Sequence, residues 1–148
     1  MAAGAGGVAA KAQTFVLVHG AWHGGWCWSR VADRLRAAGH RVFTPTQTGL
    51  GERKHLLSKA ITLDTFTKDI VNVIEAEELS SVILVGHSFG GLPRTYIACT
   101  NPSYAALKGS RKWVKAQQGW RWAEIATGHD AMVMAPKGLV RMLIGVTS

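Results

Sequence analysis

Apolar positions along the chain change their spacing several times, and each change predicts an element. Thr14 to Val18 (TFVLV) is a wholly apolar run closed by His19-Gly20, the pattern of a strand buried on both faces of a parallel sheet. After a loop rich in Gly and Trp, Ser29 is placed to cap a helix that carries Val31 and Leu35 on one face, and Gly39 is placed to end it. Arg41 to Thr44 reads as the next strand, and Pro45 to Lys59, polar and punctuated by Gly, as a loop. Thr62 to Leu79 then sets Phe66, Ile70, Val73 and Ile74 on one helical face as a core-packing stripe. Ser81 to Val85 (SVILV) returns to the continuous apolar pattern of a buried strand. Strand, helix, strand, helix, strand is the alternation of a mainly parallel sheet with flanking helices, so the fold class is α/β.

The second half is less regular. Arg94 to Cys99 (RTYIAC) reads as a strand, Ser110 to Gln117 as a short helix and Trp120 to Ala126 as an alternating strand. Pro136 suits the first position of a helix, and Gly138 to Ile144 places Leu139, Val140, Leu143 and Ile144 on its apolar face. Only Gly86 to Pro93 separates two of these strands, whereas a parallel crossover needs a dozen or more residues. Two outcomes are open. Leu92 to Thr100 forms a helix behind the preceding turn, despite β-branched Thr95 and Ile97, or the strand pairs elsewhere, a second chain included.

Composition narrows the class. With 148 residues, 47% hydrophobic and 18% charged, with 17 Gly and 4 Pro, the chain suits one soluble globular domain. That domain is expected over 14–148, after a flexible tail over 1–13 that is mostly Ala and Gly and lacks the apolar region of a signal peptide. Lys and Arg number 17 against 9 Asp and Glu, a formal charge of +8. The densest basic group, Lys108, Arg111, Lys112 and Lys115, is too sparse for a nucleic-acid tract and reads as a solvated helix face. No apolar run approaches the roughly 18 to 20 residues of a membrane span, so neither a membrane nor a nucleic-acid partner is expected, and the location is expected to be cytoplasmic. Cys27 and Cys99 give neither a disulfide framework nor a four-ligand zinc site, and are expected to be packed, reduced thiols.

The chemistry concentrates in Gly86-His87-Ser88-Phe89-Gly90, a G-x-S-x-G sequence directly after an apolar strand. In that context the serine sits on a sharp strand-to-helix turn with its hydroxyl projecting from the sheet. The alternative is a tight glycine turn carrying an inert serine. Acyl transfer also needs donors aimed at a developing oxyanion. The loop from His19 to Trp26 leaves the C-terminal end of the first strand, the side where open α/β sheets bind ligands, so the N–H groups of Ala21 and Phe89 are the expected pair. His19 and His23 read as loop hydrogen-bonding residues, because no H-E-x-x-H pattern accompanies them. His129, in Gly128-His129-Asp130 at the end of a strand, follows the serine in the order a base should. Of the other histidines, His40 follows a helix, His55 lies in a polar loop, and His87 is expected to pack or hydrogen-bond beside the serine.

The segment from His19 to Trp26, the Thr46 to His55 loop, the Gly86 to Gly91 turn and the Gly128 to Val133 segment together resemble the α/β-hydrolase superfamily, in its esterase and hydroxynitrile-lyase branch of methylesterase-like serine hydrolases. The resemblance runs from about Phe15 to Gly91 and from about Leu92 to the C-terminus. It implies a Ser-His-acid hydrolase of small carboxylic esters, with no cofactor and no metal. The lyase members carry Thr where this chain has Gly20 and Lys where it has Asp130, and both departures favour an esterase over the third reading, a hydroxynitrile lyase. Family members are longer and place a helix, a strand and a mobile cap after the serine turn. The implied structure is therefore a truncated α/β-hydrolase fold without cap domain, with an internal deletion near 91–92.

The family's acid lies between serine and histidine. There the only carboxylate is Glu124, inside a strand and expected to face solvent. Asn101 falls near the expected position of the acid and is the candidate orienter of His129, while Asp130 is too close in sequence to reach that ring with good geometry. A neutralised acid lowers turnover by about 10⁴-fold, so weak turnover remains compatible with the sequence. The rival reading is a catalytically silent remnant that acts as a binding module or a homodimer formed by strand swapping.

Overall fold

A strand whose side chains are nearly all apolar has to be covered on both faces, and Thr14–Val18 (β1) is so covered, and paired on both edges, in the computed structural model, which describes residues 11–88 and 95–146. β1 pairs in parallel with Arg41–Phe43 (β2) on one side and Val82–Gly86 (β3) on the other, in the order β2-β1-β3. The β1–β3 register sets Thr14 opposite Val82 and Val18 opposite Gly86. Phe15 and Leu17 enter a core with Val31, Ala32 and Leu35 of Ser29–Ala37 (α1). Val16 and Val18 point the other way and meet Ile70 of Leu63–Ala76 (α2). Alternate side chains of one strand thus feed two helix layers.

The second half forms its own sheet. Thr95–Cys99 (β4) pairs in parallel with Arg121–Ile125 (β5), residue for residue from Thr95 opposite Arg121 to Cys99 opposite Ile125. Lys108–Lys115 (α3) lies in the connection between them. Residues 95–99 are therefore strand rather than the helix held open as an alternative, and the strand finds its partner in the same chain. Leu92 to Arg94 and Phe89 to Gly91 lie outside the described residues. Ala131–Met134 (α4) and Pro136–Gly145 (α5) return the chain to the first core, where Met132, Leu139, Val140 and Leu143 join Phe15 and Leu35.

Several local expectations are met and others corrected. Gly39 ends α1 with a φ of 88°, where a side chain would be strained. Ser29 does not cap that helix. It is the first helical residue and continues a 3-10 turn, Gly25–Trp28, so the chain is already coiled when α1 begins. Thr62 precedes α2, and its N–H donates to Thr65 Oγ1 at 3.2 Å. The loop expected over Pro45 to Lys59 contains a 3-10 segment, Gly51–Leu56.

Of the α2 stripe only Ile70 is buried; Phe66, Val73 and Ile74 are half-buried. Among the described residues β3 has no neighbour on its outer edge, and Leu84 is 45% exposed there. The basic face of α3 is not uniformly solvated. Arg111 turns inward and donates to the Cys99 carbonyl at 2.8 Å and to Ser103 Oγ, and Lys115 lies 4.2 Å above the Trp122 ring. No helix among the described residues is long and apolar enough to cross a membrane.

Leu35 is 0% exposed at the centre of the larger core, so Leu35→Ala is expected to cost about 2–5 kcal/mol in a urea titration. Leu84→Ala, on the open edge, should cost clearly less. Equal losses would contradict this division between closed core and open edge.

Candidate active site

β3 carries the chain to the serine. The His87 N–H donates to the Val18 carbonyl at 3.0 Å, which extends the β1–β3 ladder by one step. The next residue, Ser88, turns into the left-handed region with a φ of 58° and is exposed. A non-glycine residue pays about 1–3 kcal/mol for such a backbone and keeps it only where the surroundings impose it. Part of that imposition comes from β1. A Cβ on Gly20 would lie 3.0 Å from His87 Nδ1, the His87 carbonyl oxygen and Ser88 Cβ, so a side chain at position 20 would crowd the turn and require its neighbours to shift by a few tenths of an ångström.

That loop is held from outside. His19, fully buried, donates through Nδ1 to the Gly20 carbonyl at 2.8 Å and accepts the Gln47 N–H on Nε2 at 3.0 Å. This arrangement requires a neutral ring, and burial pushes the His19 pKa below its ordinary 6.5. The Gly25 N–H donates to Thr46 Oγ1 at 2.7 Å, and that hydroxyl donates to Glu52 Oε1 at 2.5 Å. The bond from Thr46 holds the Glu52 carboxyl below its usual range. Asp69 of α2 accepts from the N–H and hydroxyl of Thr48 at 2.6 and 2.8 Å. Two loops far apart in sequence are thereby fixed to each other.

His129 follows β5, with its carbonyl accepting from His87 Nε2 at 3.2 Å. Its ring stacks on Tyr104 with centroids 4.6 Å apart, and burial lowers its pKa, which favours the neutral, proton-accepting form. Burial and the neighbouring His129 push His87 down to about 4. Ser88 and His129 line one cavity of about 480 Å³, walled also by Tyr96, Arg111, Trp113 and Trp120.

Of the residues singled out in the sequence, Ser88 and His129 line the same cavity, and the loop carrying Ala21 passes close to Ser88 at Gly20. The Ala21 N–H has no acceptor among the described residues, and Phe89 lies outside them. No hydrogen bond joins Ser88 to the His129 ring, or that ring to a carboxylate, among the described residues. Glu124 is exposed and accepts from Trp122 Nε1 at 2.8 Å. Asn101 is exposed, and its N–H donates to the Thr127 carbonyl at 3.0 Å; its side chain makes no hydrogen bond to His129. Asp130 turns away from His129, as its position in the sequence suggests, toward His23 and His87. Sequence reasoning missed that convergence and the inward turn of Arg111. Neither leaves a spacing signal, because both depend on how separate loops and helices meet.

The alpha/beta hydrolase family profile matches residues 15–141. The carbendazim hydrolyzing esterase of Nocardioides sp. (strain SG-4G) is 61% identical over 84 residues, 57% of this chain and 35% of that protein. Methylesterase 9 of Arabidopsis thaliana is 39% identical over 90 residues, 60% of this chain and 35% of that protein. The chain thus spans about a third of the length of the curated relatives it matches. Among solved structures, polyneuridine aldehyde esterase shares the fold with a TM-score of 0.77 at 15% identity, covering 93% of this chain and 100% of that one.

The buried histidines make stability depend on pH. A group such as His19, whose pKa is lower in the folded than in the unfolded state, binds more protons unfolded. Stability is therefore complete above 6.5 and falls as the pH drops through 6.5 toward the folded value. The urea midpoint is expected to fall between about pH 7.5 and 5.5, and His19→Gln should remove part of that dependence. A midpoint constant over this range would contradict a neutral, buried His19.

Proposed function

The chain belongs to the alpha/beta hydrolase family, and from that premise we propose that it hydrolyses small carboxylic esters through an acyl-enzyme on Ser88. The observation that carries this reading is the left-handed Ser88 held over Gly20, in one cavity with His129. In the proposed reaction Ser88 Oγ attacks the ester carbonyl carbon while His129 accepts its proton. The N–H groups of Ala21 and Phe89 receive the oxyanion. Collapse expels the alcohol, protonated by His129, and a water activated by the same ring releases the acid and restores Ser88. A cavity of about 480 Å³ suits a small substrate, and relatives named as a carbendazim hydrolyzing esterase and a methylesterase support the ester class. Asn101, the orienter of His129 that the sequence suggests, would have to turn its side chain from solvent toward that ring, which it does not hydrogen-bond in this structure. An amide in that role supplies no charge to the imidazolium, so turnover is expected about 10⁴-fold below that of a complete triad.

A second reading is favoured by one observation, the lack of any carboxylate on the His129 ring among the described residues. It makes the chain a silent binding module, in its dimeric form paired through the open edges of β3 and β4.

A fluorophosphonate distinguishes the two, since it labels an activated serine whatever the natural substrate. The expected result is a single adduct on Ser88 by intact-protein and peptide mass spectrometry, absent from Ser88→Ala. No adduct on folded protein would favour the binding module. Gly20→Val should slow labelling by about tenfold or more, equivalent to at least 1.4 kcal/mol, with the far-UV spectrum unchanged. Labelling at the original rate would mean that Gly20 does not shape the serine turn.

A further inference from the structure

His23, His87 and Asp130 come from three separate loops and bring ligand atoms close together. His23 Nε2 lies 3.7 Å and His87 Nε2 3.6 Å from Asp130 Oδ1, and one ligand atom from each residue falls within 4.8 Å of the others. The two rings meet edge to face, with centroids 5.8 Å apart. Asp130 Oδ1 is buried and accepts no hydrogen bond, an arrangement that native interiors rarely leave uncompensated.

The protons explain why. His23 Nδ1 lies 3.0 Å from the Ala21 carbonyl, which can only accept, so Nδ1 carries the hydrogen. Whenever the ring is uncharged, its Nε2 presents a lone pair to Asp130 Oδ1 across 3.7 Å, so two acceptors face each other. A cation at the midpoint resolves this conflict. The bond to Ala21 is moreover the kind of outer contact that orients a metal-bound histidine.

We propose that His23, His87 and Asp130 bind one divalent transition-metal ion, with zinc(II) as the best match. Two imidazoles and a carboxylate are a donor set that zinc accepts, and a fourth position stays open. Donors bound at about 2.0–2.1 Å to a tetrahedral ion lie about 3.3–3.4 Å apart, so the two edges meeting at Asp130 need to shorten by only a few tenths of an ångström. Ligation by His87 Nε2 places the ring proton on Nδ1 and releases the 3.2 Å bond to the His129 carbonyl. The ion would tie together the loop after β1, the turn that carries Ser88 and the segment that carries His129. This assignment stands apart from ester hydrolysis and holds whether or not Ser88 is reactive.

The test uses the full chain, stripped with a chelator and dialysed. Cobalt(II) is titrated with visible absorption as the readout, and zinc(II) with calorimetry and thermal unfolding. The expected result is one equivalent bound, cobalt bands of a low-coordinate nitrogen and oxygen site, and a melting temperature that rises with zinc concentration. His23→Gln and Asp130→Asn should each weaken binding by about tenfold or more, while His55→Gln, outside the cluster, leaves it unchanged. His23→Gln lies on a loop and serves if Asp130→Asn does not fold. Absence of heat and of cobalt bands at millimolar metal overturns the proposal, as does binding that survives His23→Gln or is lost in His55→Gln.

Discussion

The parallel pairing of β1 with β3, with Val18 set opposite Gly86, is the constraint on which the rest of the site depends. Because side chains alternate along a strand, a slip of one residue would move Phe15 and Leu17 away from α1 and send Val16 and Val18 into their place. The same slip would carry Gly20 out from under Ser88. The bond from the His87 N–H to the Val18 carbonyl lies at the last step before the chain turns. Hydrophobic burial and the geometry of the serine are therefore set by one register.

The histidine opposite the serine is positioned by a longer route. β4 and β5 form a sheet of their own, and no hydrogen-bonded strand joins it to β3 among the described residues. What places His129 is the pair of helices that follow it. Met132 of α4 and Leu139, Val140 and Leu143 of α5 share a core with Val31 and Leu35 of α1, and Arg30 of α1 donates to the Val133 carbonyl at 3.1 Å. Serine and histidine thus come to line one cavity through helix packing rather than through neighbouring strands. The rings of His87 and His129, with centroids 4.5 Å apart, are where the two halves touch at the site.

Much of this was legible in the sequence because double-sided burial writes itself as uninterrupted apolar runs. TFVLV is a strand for that reason; SVILV carries the same apolar run and forms β3, though half-buried there and with Leu84 exposed, and Ser88 could be singled out because it follows that run. β4 and β5 were also readable as strands, but not their pairing with each other, since nothing in either run specifies a partner. Ser29 was misread as a cap because a short 3-10 turn leaves no periodicity to detect. Arg111 was grouped with its lysine neighbours because helical spacing does not say which way a short helix is turned. The convergence of Asp130 with His23 and His87 was invisible for a deeper reason. Each residue lies in a different loop, and only the completed fold brings them together.

The division into two sheets also orders events during synthesis. All strands of the first sheet lie within residues 14–86, so its backbone ladder can close while the ribosome is still adding the second half. Its larger core cannot close then, because Met132, Leu139, Val140 and Leu143 are made after it. Until α4 and α5 are made, Phe15 and Leu17 lack the cover that Met132, Leu139, Val140 and Leu143 give them. Until then the apolar face of the nascent sheet is open to chaperones or to other nascent chains, and that exposure ends only once α4 and α5 have left the exit tunnel.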